Sequence, residues 1–90
     1  MDARAHIVVR GLVQGVGFRY FVLMRAQKFA LRGYVQNVYN GDVEIEVEGA
    51  RSLVEEFIGE VKVGPRAAHV SDLRIDWMDL SHAFTTFEVR

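Results

Sequence analysis

Apolar positions along the chain follow two different periods. Residues 5–13 include Ile7, Val8 and Val9 and run into Gly15-Val16-Gly17, which reads as a strand entering a tight loop. Residues 19–31 contain neither Gly nor Pro, and Val22, Ala26, Phe29 and Ala30 fall at helical spacing, so a first helix is expected to pack by that face. Gly33 to Tyr39 is β-branched and aromatic, the composition of a strand. Asp42 to Glu48 alternates polar and apolar without exception, placing Val43, Ile45 and Val47 on one face. Between these two strands lies Asn40-Gly41. Both residues tolerate positive φ, so a hairpin is expected there.

Leu53, Val54, Phe57, Ile58 and Val61 make one stripe of a second amphipathic helix. Leu73, Ile75 and Trp77 alternate with Asp72, Arg74 and Asp76 in a fourth strand, and Phe87 and Val89 mark a short fifth. Pro65 sits in a connection between elements, and no linker, repeat or low-complexity stretch divides the chain. Residues 1–90 are therefore expected to form a single domain. The order is βαββαβ with a small terminal strand. Because the third strand has one apolar face, both helices are expected on the same side of an antiparallel sheet. That is an α+β, ferredoxin-like sandwich, an architecture shared by many unrelated functions.

Composition narrows the choice. Ninety residues, 50% of them hydrophobic, suffice for one core and not two. With no cysteine, disulfides, thiolate catalysis and Cys-ligated zinc are excluded. No apolar run approaches the roughly 20 residues that span a bilayer. Asp2 and Arg10 also interrupt any signal-peptide pattern, so a soluble, cytoplasmic domain with no membrane partner is expected. A net charge of -1 argues against a general nucleic-acid binder. The charge is uneven, however: residues 1–32 carry +5 and residues 33–90 carry -6. An anionic substrate is expected to be drawn toward the basic third.

Most candidate chemistries fail on spacing. His6, His69 and His82 form no HExxH or paired-ligand pattern, no GxSxG surrounds a serine, and each histidine is expected at the surface. Glu44, Glu46 and Glu48, like Asp72 and Asp76, are expected to form solvated faces. An RNA-recognition module shares the element order but needs stacking rings, whereas the third strand has four acids and no aromatic residue.

Gly11-Leu12-Val13-Gln14-Gly15-Val16-Gly17-Phe18-Arg19 stands apart. It joins a strand to a helix, where free N–H groups and the helix dipole favour an anion. It lacks the Gly-Lys-Ser/Thr of a Walker loop, and Tyr20 stands where a dinucleotide fingerprint needs its third Gly. By itself such a segment is equally a tight turn. Arg19 shifts the balance, because a cation is unfavourable at the positive end of a helix. An anion held by the loop N–H groups and the guanidinium removes that conflict, and a phosphoryl group suits such a fork.

This segment resembles the first signature of the acylphosphatase family, G-x-V-Q-G-V-x-[FY]-R. Gly33-Tyr34-Val35-Gln36-Asn37, continuing through Gly41, Val43 and Gly49, resembles the second, and Pro65 with Ala68 and Val70 resembles the family's link after helix 2. The likeness covers nearly the whole chain. The tail, Phe87-Glu88-Val89-Arg90, lacks the aromatic ending common in the family.

The resemblance implies hydrolysis of the carboxyl–phosphate bond of a small acyl phosphate, without metal or organic cofactor. It implies that Arg19 binds the phosphate together with the backbone N–H groups of Gln14, Gly15, Val16, Gly17, Phe18 and Arg19. Asn37 is implied to position the attacking water, and inorganic phosphate or a similar anion is expected to occupy the same site. Tyr20, Tyr34 and Tyr39 either border the acyl group or simply pack. Two alternatives keep the fold: a non-catalytic anion-sensing module, and one domain of a larger carbamoyl-phosphate-processing protein. Met1 and the one-domain length favour a free-standing enzyme, expected to be monomeric.

Overall fold

The computed structural model describes residues 1–90. Strand β1 (Asp2–Leu12) is followed by helix α1 (Phe18–Lys28), β2 (Arg32–Asn37), β3 (Val43–Ala50), α2 (Arg51–Val63), β4 (His69–Met78) and β5 (Phe87–Val89). The strands form one sheet in the order β4-β1-β3-β2-β5. Register follows the apolar pattern: Ala5, Ile7 and Val9 of β1 stand opposite Val47, Ile45 and Val43 of β3, and Ile45 also faces Val35 of β2. All seven are fully buried, so a slip of one residue would turn this entire set away from the core. Val22 and Ala26 of α1 and Val54, Phe57 and Val61 of α2 complete the core from the two helices, which also touch one another.

Two local features depart from expectation. Helix α1 ends at Lys28, so Ala30 lies outside the helical stripe and is exposed. Ala30 is left-handed at φ 55°, the Leu31 N–H donates to the Ala26 carbonyl (2.9 Å) and the Ala30 N–H to that of Gln27 (3.1 Å). This is a Schellman stop with alanine where glycine is usual. In the hairpin, β2 ends at Asn37, and the loop closes through Val38 N–H to Asp42 O (2.8 Å) and Gly41 N–H to Val38 O (3.0 Å). Gly41 has φ 102° while Asn40 stays at negative φ. The turn is thus a three-residue loop with its bulge at glycine, a geometry whose twist also suits two antiparallel strands.

Strands β1 to β4 pair antiparallel as expected, but β5 pairs parallel to β2, with Gly33, Tyr34 and Val35 facing Phe87, Glu88 and Val89. The sheet is therefore mixed. Residues 79–86 carry the chain from the β4 edge to the opposite edge, across the face away from the helices. The crossing is held by Arg4 Nη1 donating to Asp79 O (3.1 Å) and by the Tyr34 and Phe84 rings, 5.8 Å apart.

This crossing overturns the expected solvated acid face. Glu48 is 0% exposed and accepts from the N–H groups of Ser81 (2.7 Å) and His82 (3.2 Å). Glu46 pairs with Arg4 at 3.1 Å, and Glu44 pairs with His6 at 2.7 Å, so His6 is half-buried and not a surface residue. Asp72, Asp76, His69 and His82 are exposed as expected. The alternation correctly placed the acids opposite the core; what a later segment laid over them could not be read from their spacing.

Burial is the largest influence on Glu48 and pushes its pKa up. The Ser81 and His82 N–H groups, with the charges of His82 and Arg32, outweigh it and hold the carboxyl below its ordinary 4.5. A depressed folded-state pKa means that the unfolded chain takes up the proton first. The stabilisation is complete above 4.5 and is lost as pH falls through the folded-state value. Glu48→Gln should therefore be less stable than the parent by about 1–2 kcal/mol at neutral pH. Its stability should also fall less steeply than the parent's on acidification below about pH 5, as measured by urea unfolding. Parallel acid limbs in the two proteins would contradict this role for Glu48.

Candidate active site

The site begins where β1 ends. Val13 is buried and anchors the start of a loop whose glycines, Gly15 (φ 74°) and Gly17 (φ 78°), are both left-handed. A Cβ at either would meet nothing within 4 Å, so conformation and not space demands glycine here. Phe18, the first residue of α1, is buried and fixes the helix end. The N–H groups of Gln14, Gly15, Val16 and Gly17 donate to no other protein group, and those of Phe18 and Arg19 lie in the first helical turn, which has no intrahelical acceptor for them. Six successive main-chain donors are thus available at the positive end of the helix, whose first turn contains no acid.

Arg19 is exposed in that turn. Its Nη1 donates to the main-chain oxygen of Arg90 (2.8 Å), whose own N–H extends the β5 ladder to Val35 O (2.8 Å). One donor of five is used, which holds the guanidinium at a fixed place and leaves the rest of the fork free. The basic first third of the chain divides sharply here. Arg4, Arg10, Arg25, Lys28 and Arg32 each face a carboxylate, of Glu46, Asp42, Glu60, Glu60 and Asp2 respectively. Arg19 alone of the six has no Asp or Glu side chain within ion-pair distance. Glu46, Asp42 and Glu60 thus offset part of the +5 excess, Arg25 and Lys28 sharing Glu60, and the positive charge left at the loop is that of Arg19 and the helix end.

Asn37, the last residue of β2, is exposed, and its backbone is set by pairing with Val43. It meets the loop in a cleft of about 260 Å³ walled by Val13, Gly15, Gly17, Phe18, Arg19, Tyr20, Asn37 and Val89. Residues 22 positions apart in sequence are brought together because β1 and β2 are both neighbours of β3. Two of the expected loop residues are not in the cleft wall. Val16 packs against the core, and the Gln14 side chain turns to the hairpin, although both contribute main-chain N–H groups to the loop. Of the three tyrosines only Tyr20 borders the cleft. Tyr39 is fully exposed in the hairpin turn. Tyr34 lies on the crossed face beneath the Arg90 guanidinium (4.2 Å), its hydroxyl pKa raised by burial and by Glu44 and Glu46. Val89 was not anticipated as a site residue. Only the parallel docking of β5 brings it there.

A family model for acylphosphatase matches residues 5–89. The chain belongs to the acylphosphatase family. An acylphosphatase of Moorella thermoacetica is 46% identical over 87 residues, covering 97% of this chain and 92% of that protein. The crystal structure of an acylphosphatase from Bacillus subtilis superposes with a TM-score of 0.95 at 38% identity, covering 100% of this chain and 99% of that one. Full-length HypF, in its phosphate- and nucleotide-bound form, aligns with a TM-score of 0.88 at 31% identity. There this chain corresponds to 12% of the larger protein.

As an acylphosphatase the chain is an enzyme that hydrolyses acyl phosphates to a carboxylate and inorganic phosphate. Both signature segments border the one cleft: the first is the end of β1, the loop and the start of α1, and the second begins in β2 and ends past the hairpin. No Asp or Glu side chain lines the cleft. Such a cleft receives an anion by hydrogen-bond donation and has no carboxylate to repel it.

Proposed function

We propose that the phosphoryl group of the acyl phosphate is held by the Arg19 guanidinium and the main-chain N–H groups of Gln14 to Arg19, and that Asn37 positions the water attacking phosphorus. The observation that carries this reading is the convergence of Gly15, Gly17, Arg19 and Asn37 on one cleft. The carboxamide of Asn37 accepts from water through its oxygen and donates through its nitrogen, so it orients the nucleophile without ionising. Guanidinium and amide donors stabilise charge on the equatorial oxygens as the carboxyl–oxygen bond to phosphorus breaks. The carboxylate is a good leaving group and needs no acid, and the substrate's own phosphate oxygen takes the water's proton. Positioning and charge stabilisation then supply most of the acceleration.

The cleft wall has no Asp, Glu, His or Cys side chain to hold a metal ion, so the reaction is expected to be metal-independent. Benzoyl phosphate should be hydrolysed at the same rate before and after exhaustive chelation, with inorganic phosphate a competitive inhibitor. A requirement for Mg²⁺, or phosphate inhibition that is not competitive, would count against it. Residues 1–90 are proposed to act as one monomeric, cytoplasmic domain. The 5–89 span of the family model supports the single domain, and a solution mass near 10.2 kDa checks the monomer.

A further inference from the structure

Gln14 has a side-chain role separate from its main-chain N–H. Its Nε2 donates to Val38 O (2.7 Å) and to Asp42 O (2.8 Å), so both amide hydrogens are spent on the hairpin. Those two carbonyls form the neck of the β2–β3 turn. Val38 O also accepts from Gly41 N–H (3.0 Å), and Asp42 O also accepts from Val38 N–H (2.8 Å). Val38 directly follows Asn37, and Gln14 opens the phosphate loop. No other side-chain hydrogen bond joins residues 13–17 to residues 37–42.

We infer that the Gln14 carboxamide is a positioning strut, which sets the separation of the phosphate-holding loop from Asn37 and so aligns water with the bound phosphoryl group. The inference rests on the role proposed for Asn37. The sheet brings β1 and β2 together through Val43, which pairs with both Val9 and Asn37, but the pairing of β1 with β3 ends at Val9 and does not reach the loop. The connection is made by the two bonds from Gln14. Half-buried carbonyls at a hairpin neck keep their ladder partners if the amide is removed, so the hairpin survives; what is lost is its tie to the loop. Phosphate binding depends on the loop N–H groups and Arg19, which the strut does not touch. Attack geometry depends on both sides of the cleft.

Gln14→Met, near-isosteric and without donors, should lower kcat for benzoyl phosphate by about 10- to 100-fold, the cost of displacing a reacting group by roughly 1 Å. Its inhibition constant for inorganic phosphate should stay within about twofold of the parent. Placed in an Asn37→Ala background, the same substitution should cost less than about twofold in kcat, because the residue it aligns is gone. A phosphate inhibition constant that rises in step with the kcat loss, or an equal loss in both backgrounds, overturns the strut. So does parental kcat in Gln14→Met. If Asn37→Ala itself leaves kcat unchanged, the Asn37 assignment fails first and the strut falls with it. If Asn37→Ala lowers kcat and the two losses simply multiply, only the strut fails. Should Gln14→Met not fold, Gln14→Asn, which keeps the donors one methylene short, must give the same split between kcat and phosphate inhibition.

Discussion

Arg19→Lys should lose about 10²- to 10³-fold in kcat/KM for benzoyl phosphate while keeping its fold, the scale of removing one oriented donor from a developing charge. The charge is retained in this variant, so a simple electrostatic requirement predicts little change. Geometry predicts a large one. The guanidinium has five donors in a rigid plane, and one of them is already committed to the Arg90 main-chain oxygen at 2.8 Å. That contact ties one end of the fork of a residue that lines the cleft, and its other donors have no protein partner. A lysine ammonium on a flexible stem has no plane to orient and cannot hold the β5 end and bridge two phosphoryl oxygens together. Near-parental turnover by the lysine variant would remove Arg19 from the assigned role. Because Arg19 pairs with no Asp or Glu side chain, its replacement costs at most the exposed contact to Arg90, and a small change in thermal stability should accompany the large loss of activity.

Asn37→Ala should divide the kinetic constants differently. We expect kcat to fall by about 10²-fold, with the inhibition constant of inorganic phosphate within about twofold of the parent. The loop N–H groups and Arg19 are untouched, so ground-state grip on phosphate remains. The water loses the carboxamide that accepts and donates to it. Loss of phosphate inhibition in proportion to kcat would make Asn37 a phosphate ligand and not a guide for water. Asn37 is exposed at a strand end, so truncation leaves no cavity to confuse the result with unfolding.

Much of this was legible in the chain because the relevant physics is local. The 2-residue period of Asp42–Glu48 placed Val43, Ile45 and Val47 in the core, and the stripe through Val54, Phe57 and Val61 placed α2 upon them. Gly15 and Gly17 both adopt positive φ, and Arg19 stands in the first turn of a helix, as its position after them implied. Where local preference met a competing signal, it misled: an alanine closes α1, and the residues at Asn40-Gly41 make a longer turn than the dipeptide suggests. The spacing of Glu44, Glu46 and Glu48 described an open face correctly and its solvent wrongly.

Segment by segment, then, the order of strands and helices, the glycine loop at a helix start and the candidate Arg19 follow from the residues themselves, whereas Asn37 is a candidate only through the resemblance of its segment to the family's second signature. The causes of the former act over a few residues: pleat, helical pitch, glycine's freedom and the dipole of one helix end. Only the tertiary structure decides that β5 docks parallel to β2, bringing Val89 to the cleft and the Arg90 main chain to Arg19. It also decides that Glu48 is buried beneath the crossing, and that five of six cations in the first third pair with acidic side chains while Arg19 does not. These depend on pairings between residues tens of positions apart. The free energy of such a pairing is set by what burial and hydrogen bonding leave available at each end, which no local window of the sequence contains.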